Sequence, residues 1–315
     1  MSSAQLRDSA ALKQGACASG VTIAAVVVTF NPDLVTLKVQ TDRLQQQSVR
    51  VIWVDNGSTQ ALTALAAEWG TCLLQLEGNL GVAVAQNTGV AFALDQGAEF
   101  VLLMDHDSVP DANMVGMLLD VMHAHADVAA VGPYYTDPRS TQPAYPFVWI
   151  DGLRLQRLKP PKDGATSSVV DHLIASGCLI RSTAWCDVGP MLAPLFIDFV
   201  DVEWCLRARS KGWHLHGVWH AHMSHTIGHA VVRRLGRNFR IHSAARHYFH
   251  VRNGVFLYRQ SWIAINWRML SLWRMILKTG FYCIFAHNRV AYVRATLKGI
   301  FDGIDFNPTP KADPS

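Results

Sequence analysis

The chain contains 315 residues, of which 50% are hydrophobic and 17% are charged. This composition excludes a disordered chain, a collagen and a coiled coil, and the length suits two domains or one α/β unit with an appendage. A formal net charge of +4 is too small an excess to indicate nucleic acid as a partner. The six cysteines include no C-x-x-C pair, which is typical of a protein in a reducing cytoplasm rather than of a disulfide framework or a thiolate zinc site.

The N-terminal segment is predicted to be a flexible tail over residues 1–20, because it is rich in Ala, Ser and Gln. Residues 15–32 are uncharged and follow Arg7 and Lys13, as in a signal peptide. However, residues 21–30 are β-branched and end at Asn31-Pro32, which indicates a buried strand that runs into a turn. We therefore expect a strand here and no cleaved signal.

Three continuous apolar runs follow, over residues 23–29, 51–54 and 100–104, and helical patterns at 34–47, 62–69 and 84–94 separate them. Strands that are buried on both faces and alternate with helices predict an α/β fold with a mostly parallel central sheet. Ligands of such sheets bind at the carboxyl ends of the strands. Polar residues follow all three runs there: Thr29, Asn31, Asp55, Asn56, Asp105 and Asp107.

The pair Asp105-x-Asp107 is the sharpest chemical signal, because two carboxylates at the end of a strand can bind a hard cation such as Mg²⁺. Asn79-Leu80-Gly81 and Asn87-Thr88-Gly89 precede or open a helix, where backbone N–H groups can bind an anion. Neither is a dinucleotide-binding or P-loop pattern.

Residues 133–168 carry six prolines and predict a long connection over one end of the sheet, with a short strand at 147–150.

Taken in order, these segments resemble family 2 glycosyltransferases, which are inverting, nucleotide-sugar-dependent enzymes of the GT-A fold. The resemblance covers about residues 23 to 259 and rests on the segments VVVTFNP (26–32), WVDNGST (53–59), NLGVAVAQNTG (79–89) and MDHDS (104–108). Four further segments resemble the bacterial rhamnosyltransferase branch: ASGCLIR (175–181), LFIDFVDVEWCLR (195–207), SHTIG (224–228) and RHYFHVRN (246–253).

The resemblance implies roles for individual residues. Asp55 is expected to bind the pyrimidine base near Thr29 and Asn31, and Asp105 and Asp107 to bind the ribose and a metal-bound diphosphate. The metal is expected to be Mg²⁺ or Mn²⁺, with His225 facing it, and Asp201 is expected to deprotonate the acceptor hydroxyl. The remaining residues assigned to donor binding are Asn56, Asn79, Gly81, Asn87 and Arg252.

The chemistry itself needs two devices: charge neutralisation at the leaving diphosphate and a base for the incoming hydroxyl. A single base with in-line attack inverts the anomeric centre. The alternative for Asp198, Asp201 and Glu203 is a solvated acidic helix start that pairs with Arg207 and Arg209.

Two further clusters leave alternatives open. Six histidines crowd residues 214–229, and the even-numbered ones among them share one face of a strand, which invites a zinc site; only His225 fits the family pattern. Arg233, Arg234, Arg237 and Arg240 form a basic loop that either closes over a diphosphate or anionic lipid or is simply solvated.

The C-terminal part, residues 256–315, is predicted to be a helical extension of a catalytic domain at residues 21–255. Residues 261–286 contain three Trp residues among aliphatic ones, with Arg268, Ser271, Arg274 and Lys278 at helical spacing. This pattern favours a helix at the membrane interface, and a buried helix is the alternative. We accordingly expect a cytoplasmic protein, peripheral at the inner face of the plasma membrane.

The predicted function is transfer of a sugar, with inversion, to a hydroxyl of a bacterial cell-surface glycan or glycolipid. The resemblance favours L-rhamnose from dTDP-β-L-rhamnose as the donor. A family 2 transferase that uses a UDP-hexose and a non-catalytic nucleotide-sugar-binding or carbohydrate-binding protein are the alternatives. The sequence leaves open whether the chain forms homo-oligomers.

Overall fold

A computed structural model describes residues 22–137, 146–225, 230–234, 237–241, 243–286 and 288–308. The predicted tail at 1–20 lies outside these residues. Strands and helices alternate through the first half of the chain, and helices make up the C-terminal part. The strands are β1 (Ile23–Thr29), β2 (Arg50–Asp55), β3 (Cys72–Gln75), β4 (Phe100–Asp105), β5 (Ser108–Pro110), β6 (Val128–Thr136), β7 (Val148–Asp151), β8 (Arg154–Arg157), β9 (Ser167–Val169), β10 (Cys178–Arg181), β11 (His214–His225), β12 (Ala230–Arg234) and β13 (Arg237–Ile241).

The helices alternate with these strands up to β13 and then follow one another. They are α1 (Leu34–Gln46), α2 (Thr63–Glu68), α3 (Val82–Asp95), α4 (Met114–Ala124), α5 (Ser182–Val188), α6 (Val200–Ser210), α7 (Ala244–Tyr258), α8 (Ile265–Phe285) and α9 (Arg289–Asp305). The predicted strand runs and helical patterns in the first hundred residues are confirmed. A mixed α/β architecture with C-terminal helices is therefore established.

The central sheet has nine strands, with the order β3-β2-β1-β4-β10-β6-β11-β5 and β9 beside β11. Strands β3, β2, β1 and β4 are parallel, and β10 enters between β4 and β6 in the opposite direction. In β1, Val26 and Val28 belong to one hydrophobic core while Ala25 and Val27 belong to the other. Because both faces of the strand are buried, its sequence is continuously apolar.

The prediction of a long connection over residues 133–168 is wrong for residues 133–136, because β6 continues through Pro133 to Thr136. Pro133 pairs with Val218 of β11, and the register of the two strands shifts between Val218 and His222. A proline lacks the N–H that a regular ladder requires, so it is tolerated at such an irregularity. The short strand predicted at 147–150 is found as β7, which forms a hairpin with β8.

The C-terminal helices pack as a group, with α7 against α9 and α8 against both. The predicted domain boundary at residue 255 lies inside α7, and the division into two units stays a prediction. Within the described residues, no helix is long and apolar enough to cross a bilayer. Nevertheless, large apolar side chains are exposed along α8 and α9, among them Trp273, Leu277 and Phe301.

Candidate active site

The carboxyl ends of three neighbouring strands bring the predicted donor-site residues to one edge of the sheet. In the strand registers Thr29 is opposite Asp55, and Val28 is opposite Asp105. The Asp55 carboxylate is buried and accepts hydrogen bonds from the hydroxyls of Thr29, at 3.0 Å, and Ser58, at 2.5 Å. These bonds fix the orientation of an acidic group at the point where α/β sheets bind ligands.

The asparagines near this edge mainly fasten loops to one another. Asn31 accepts from the backbone and hydroxyl of Thr59, both at 2.9 Å, while Asn56 accepts from the Leu80 N–H at 2.9 Å. Asn79 accepts from the Gly81 N–H at 3.1 Å. These contacts shape the walls of the crevice, and the predicted donor contacts of these residues stay predictions.

Two of the predicted donor-site residues on α3 are engaged with the segment that follows α5. Asn87 makes a pair of hydrogen bonds with the backbone of Met191, at 2.8 and 2.9 Å. Gly81 has a φ of +90°, and a Cβ there would come within 2.5 Å of the Phe196 ring. The glycine thus permits the close approach of Phe196, and its predicted part in donor binding stays a prediction.

Asp105, Asp107 and His225 form a cluster that fits a divalent metal. One ligand atom of each lies within 4.8 Å of the others, and this is the only such group found among the described residues. Pairing of β5 with β11 places His225 opposite Ser108, and His225 Nδ1 lies 2.6 Å from the Ser108 hydroxyl and 3.4 Å from Asp107 Oδ1. Asp107 Oδ1 is buried, and within the described part of the chain its 3.4 Å contact with His225 is not accompanied by a stronger hydrogen bond, so a cation would satisfy this acceptor.

The electrostatics of this cluster are mutually dependent. Burial raises the pKa of the Asp105 carboxyl. Burial acts in the same direction at Asp107, but His225 and His106 outweigh it and the pKa of Asp107 is lowered. The pKa of His225 is raised because the carboxylates of Asp107 and Asp105 together outweigh the opposing effect of burial. The charges of these three side chains change as protons bind and leave, whereas a bound cation would give the cluster a fixed positive charge.

A two-residue bridge joins the acid pair to Asp201. The N–H of Asp105 donates to the Ser176 hydroxyl at 3.1 Å, and the N–H of Ala175 donates to Asp201 Oδ2 at 3.2 Å. Since Ala175 and Ser176 are consecutive, Asp105 and Asp201 must lie on the two sides of one short segment. The structure therefore places the third carboxylate close to the acid pair rather than behind the sheet.

Asp201 differs from its acidic neighbours in having no cationic partner. Asp198 pairs with Arg246 at 3.0 Å, and Glu203 pairs with Arg207 at 2.7 Å. Among the described residues no ion pair includes Asp201, whose Oδ1 accepts the Val202 N–H at 2.8 Å in the first turn of α6. Of the predicted alternative, a solvated acidic helix start that pairs with Arg207 and Arg209, only the pairing of Glu203 with Arg207 is found, and Glu203 is buried rather than solvated.

Burial raises the pKa of Asp201 to about 6, against the stabilising effect of the Val202 and Ala175 N–H groups. The negative charges of Asp105 and Asp198 act in the same direction as burial. An unpaired carboxylate with a pKa near neutrality is suited to accept a proton.

The loop before α6 is strained, because Phe196, Asp198 and Phe199 all have φ between 61° and 66°. Asn253 holds it by donating to the carbonyls of Leu195, Ile197 and Asp198 at 2.9 to 3.0 Å. A backbone held in this unfavourable region by several bonds is typical of a functional site.

Arg252 stabilises the same loop, since its guanidinium donates to the carbonyls of Pro194 and Leu195 at 2.7 and 3.2 Å. Only 9% of its surface is exposed. These contacts make Arg252 a residue that positions the loop, and its predicted contact with the donor stays a prediction.

Two supporting residues were not identified from the sequence. Gln40 donates to the carbonyls of Asp105 and Ser108 at 2.7 and 2.5 Å, and Ser176 donates to the Ser108 hydroxyl at 2.7 Å. Ser176 stands next to Gly177 in the segment ASGCLIR (175–181), and its place in that segment was the signal that could have identified it. Gln40 lies within α1, and no motif in the sequence distinguishes it from the other polar residues of that helix.

The histidine cluster forms no second metal site within the described residues, where the only group of three metal-ligating side chains is that of His225. His216 Nδ1 lies 3.0 Å from the Ser167 hydroxyl, and His214 lies 3.7 Å from Asp127. His229 lies outside the described residues. The side chains of the basic loop are likewise not described, although β12 and β13 pair there as a hairpin.

A parallel sheet edge that carries an acid pair, with a third carboxylate across a short bridge, is the arrangement expected of a GT-A-type glycosyltransferase. Residues 24–181 match the family described as glycosyl transferase family 2. The chain is 31% identical over 284 residues to the dTDP-rhamnosyl transferase RfbF of Shigella flexneri, and the match covers 90% of this chain and 95% of the relative. The chain therefore belongs to glycosyltransferase family 2 and is an enzyme.

Solved structures confirm the fold. S. aureus TarS aligns with a TM-score of 0.58 at 13% identity over 87% of this chain, which spans 48% of the TarS chain. TarS residues 1–349 in complex with UDP-GlcNAc align with a TM-score of 0.58 at 14% identity, over 89% of this chain and 81% of that one. GalNAc-T7 with UDP, GalNAc and Mn²⁺ gives a TM-score of 0.54 at 13% identity, over 85% and 58% of the two chains.

We predict that Mn²⁺ together with dTDP raises the melting temperature of the protein by about 3 °C or more, because a ligand that binds only the folded state stabilises it. Asp107→Asn should abolish most of this shift, since it removes a charged ligand from the cluster. Differential scanning fluorimetry with and without EDTA measures the effect. Asp95→Asn, an equal change at the exposed end of α3, is the control and should behave like the wild type. An undiminished shift in Asp107→Asn would exclude this metal site.

Proposed function

We propose that the enzyme transfers L-rhamnose from dTDP-β-L-rhamnose, with inversion, to a hydroxyl of a bacterial cell-surface glycan or glycolipid. The donor is suggested by the 31% identity to a dTDP-rhamnosyl transferase over nearly the full length of both chains. The observation that carries the mechanism is the position of Asp201, unpaired and joined to Asp105 through the consecutive residues Ala175 and Ser176.

The donor lies, in this proposal, along the carboxyl edge of β1, β2 and β4. Asp55 binds the pyrimidine base near Thr29 and Asn31, and Asp105 approaches the ribose. Asp105, Asp107 and His225 would hold Mg²⁺ or Mn²⁺, which would supply positive charge to stabilise the leaving diphosphate. The two carboxylates suit a hard cation, and the buried Asp107 Oδ1, with no strong hydrogen bond in the described part of the chain, supports a ligand there.

Asp201 acts as the general base in this proposal. Its carboxylate accepts the proton of the acceptor hydroxyl while that oxygen attacks the anomeric carbon from the face opposite the diphosphate. One displacement of this kind inverts the anomeric configuration. The ion pairs at Asp198 and Glu203 leave Asp201 as the available base among the acids at the start of α6.

A UDP-hexose is the alternative donor, because every residue of the proposed site would serve it equally. We expect dTDP-rhamnose to be hydrolysed slowly without an acceptor, and UDP-glucose and UDP-GlcNAc to be left intact, in the presence of Mg²⁺. Product dTDP or UDP is quantified by ion-exchange chromatography. Faster release of UDP from either hexose donor would move the specificity to the alternative.

The rate of transfer should depend on the ionisation of Asp201. Burial raises the pKa of its carboxyl to about 6, so the basic form is lost as the pH falls through that value. We expect kcat/KM to be level above pH 7 and to fall about tenfold per pH unit below 6. Asp201→Asn should lower kcat by about 10²- to 10⁴-fold at pH 7.5.

The control for this variant is donor binding, because Asp201 is not placed against the nucleotide. Isothermal titration calorimetry should give Asp201→Asn the same affinity for dTDP as the wild type. Asp163→Asn, at an exposed position in the connection after β8, should retain the full rate. Normal turnover in Asp201→Asn would remove Asp201 from the base role.

We also propose that the protein associates peripherally with the membrane surface. The outer sides of α8 and α9 expose large apolar side chains, with Trp273 58%, Leu277 55% and Phe301 67% exposed. An apolar face of this extent is uncommon on the free surface of a protein, and aromatic residues suit the level of the lipid headgroups.

Vesicle flotation tests this association. The wild type should float with vesicles of phosphatidylethanolamine and phosphatidylglycerol, and Trp273→Glu/Leu277→Glu should reduce the floating fraction at least tenfold, because burying a large apolar side chain contributes about 1.5–3 kcal/mol. Val35→Glu places the same charge at an even more exposed apolar residue, on α1, and is the control. A wild type that stays unbound and sediments as a dimer, which the double variant converts to a monomer, would assign the face to a second copy of the chain.

A further inference from the structure

The loop of residues 195–199, which leads into α6, holds two bulky aromatic residues in a backbone conformation that such residues avoid. Phe196 and Phe199 have φ of 66° and 64°, and Asp198 between them has a φ of 61°. A phenylalanine takes up this left-handed region only where contacts elsewhere in the fold hold it there. Phe199 is the residue directly before α6, whose first turn carries Asp201. The position of the proposed base therefore depends on the contacts that hold this loop.

One face of α7 supplies such contacts to each loop residue that has a positive φ. The contacts are an ion pair of 3.0 Å between Asp198 and Arg246, a ring stack of 4.9 Å between Phe196 and Phe249, and a ring stack of 4.8 Å between Phe199 and His250. Together with Asn253, these three residues of α7 are spaced at i, i+3, i+4 and i+7, so they lie on the same side of the helix. We call the side formed by Arg246, Phe249, His250 and Asn253 the clamp face.

Asn253 is the central residue of the clamp face, because it binds the backbone of the loop. Its side chain is fully buried, and its amide group donates to the carbonyls of Leu195, Ile197 and Asp198 at 2.9 to 3.0 Å. The oxygen of the same amide accepts from the Arg252 guanidinium at 2.8 and 3.0 Å, which fixes the direction of the group. A side chain without an NH₂ group at this position would lose all three bonds to the loop.

A different side of α7 is fixed by α9. A Cβ at Gly303 of α9 would come within 2.7 Å of the Arg252 carbonyl oxygen, so this glycine allows the two helices to lie in close contact. The Tyr248 hydroxyl also donates to the Asp302 carboxylate at 2.5 Å. Because α9 supports the helix in this way, the clamp face has a fixed position relative to the loop.

We propose that the clamp face of α7 holds residues 195–199 in their strained conformation and thereby fixes the Asp201 carboxylate for catalysis, with Asn253 as the central positioning residue. The proposal rests on the function proposed above, in which Asp201 is the base. A shift of the loop would move the first turn of α6 and carry Asp201 away from the Ala175 N–H, which donates to it at 3.2 Å. The segment RHYFHVRN (246–253) is thereby given a role in positioning the base.

Hydrogen–deuterium exchange of the full chain, followed by mass spectrometry, tests the clamp without requiring turnover. Asn253→Asp keeps the shape of the side chain and the oxygen that accepts from Arg252, but it replaces the donating NH₂ group with an oxygen. The N–H groups of residues 196, 197 and 203 are hydrogen-bonded within the loop and the first turn of α6, and we expect them to exchange about tenfold faster or more. The Ala175 N–H should also exchange faster, since it reports the position of the Asp201 carboxylate.

The control variant is Asn113→Asp, which makes the same change at an exposed residue directly before α4. It should exchange like the wild type at all of these positions. In Asn253→Asp, the strands β1, β2 and β4 should likewise keep the exchange rates of the wild type, because the loop opens locally while the sheet stays folded.

Turnover and donor binding show whether the clamp serves the reaction. Asn253→Asp should lower the rate of dTDP release from dTDP-rhamnose about 10- to 100-fold, because a displacement of about 1 Å at a reacting group has effects of this size. Its affinity for dTDP in the presence of Mg²⁺, measured by isothermal titration calorimetry, should equal that of the wild type. None of the three bonds that the variant loses involves Asp55 or the acid pair.

Unchanged exchange at residue 175, an undiminished rate of dTDP release, or an equal loss of dTDP affinity would overturn the proposal. If Asn253→Asp exchanges faster throughout the chain, Phe249→Leu is measured in its place, because it removes the ring stack on Phe196 and keeps an apolar side chain. The same results then decide. Normal turnover in Asp201→Asn would remove the proposed base, whereas the exchange rates report on the clamp alone, so the two failures are distinguishable.

Discussion

The whole site depends on the segment formed by Ala175 and Ser176, which binds Asp105 on one side and Asp201 on the other. This segment leads into β10, which enters antiparallel between β4 and β6 and interrupts the parallel sheet. In each of these hydrogen bonds one partner is a backbone N–H group, whose position is set by the fold. The distance between the acid pair and Asp201 therefore depends on the register of β10 against β4. A displacement of β10 along β4 would move the proposed base relative to the metal cluster.

Charge is distributed around this bridge so that each acid has a different environment. Asp107 is next to a histidine, Asp198 and Glu203 are paired with arginines, and Asp201 is half-buried and forms no ion pair with any residue that the structure describes.

The sequence predicted the sheet and the acid pair from local pattern, namely continuous apolar runs and polar residues directly after them. Asp201 was assigned as the candidate base from the family resemblance, and its role stays a prediction. The sequence did not predict Gln40 or the role of Arg252, since both act through backbone carbonyls that only the folded chain brings near. It also did not predict that β6 continues through Pro133. The proline is tolerated there because the register of β6 against β11 shifts beside it. The basic stripe on α8 was recognised, but the sequence did not show that Ser271, Arg274 and Lys278 border a cavity, because that cavity forms only where α8 packs beside α7 and the β7–β8 hairpin.

The most direct test of the account is a crystal structure of the protein with Mn²⁺ and dTDP, with the metal located by its anomalous scattering. The account predicts one strong anomalous peak within coordination distance of Asp105, Asp107 and His225, with the diphosphate on the metal and Asp201 across the space left for the sugar. A peak elsewhere, or a nucleotide whose diphosphate lies away from this cluster, would contradict it.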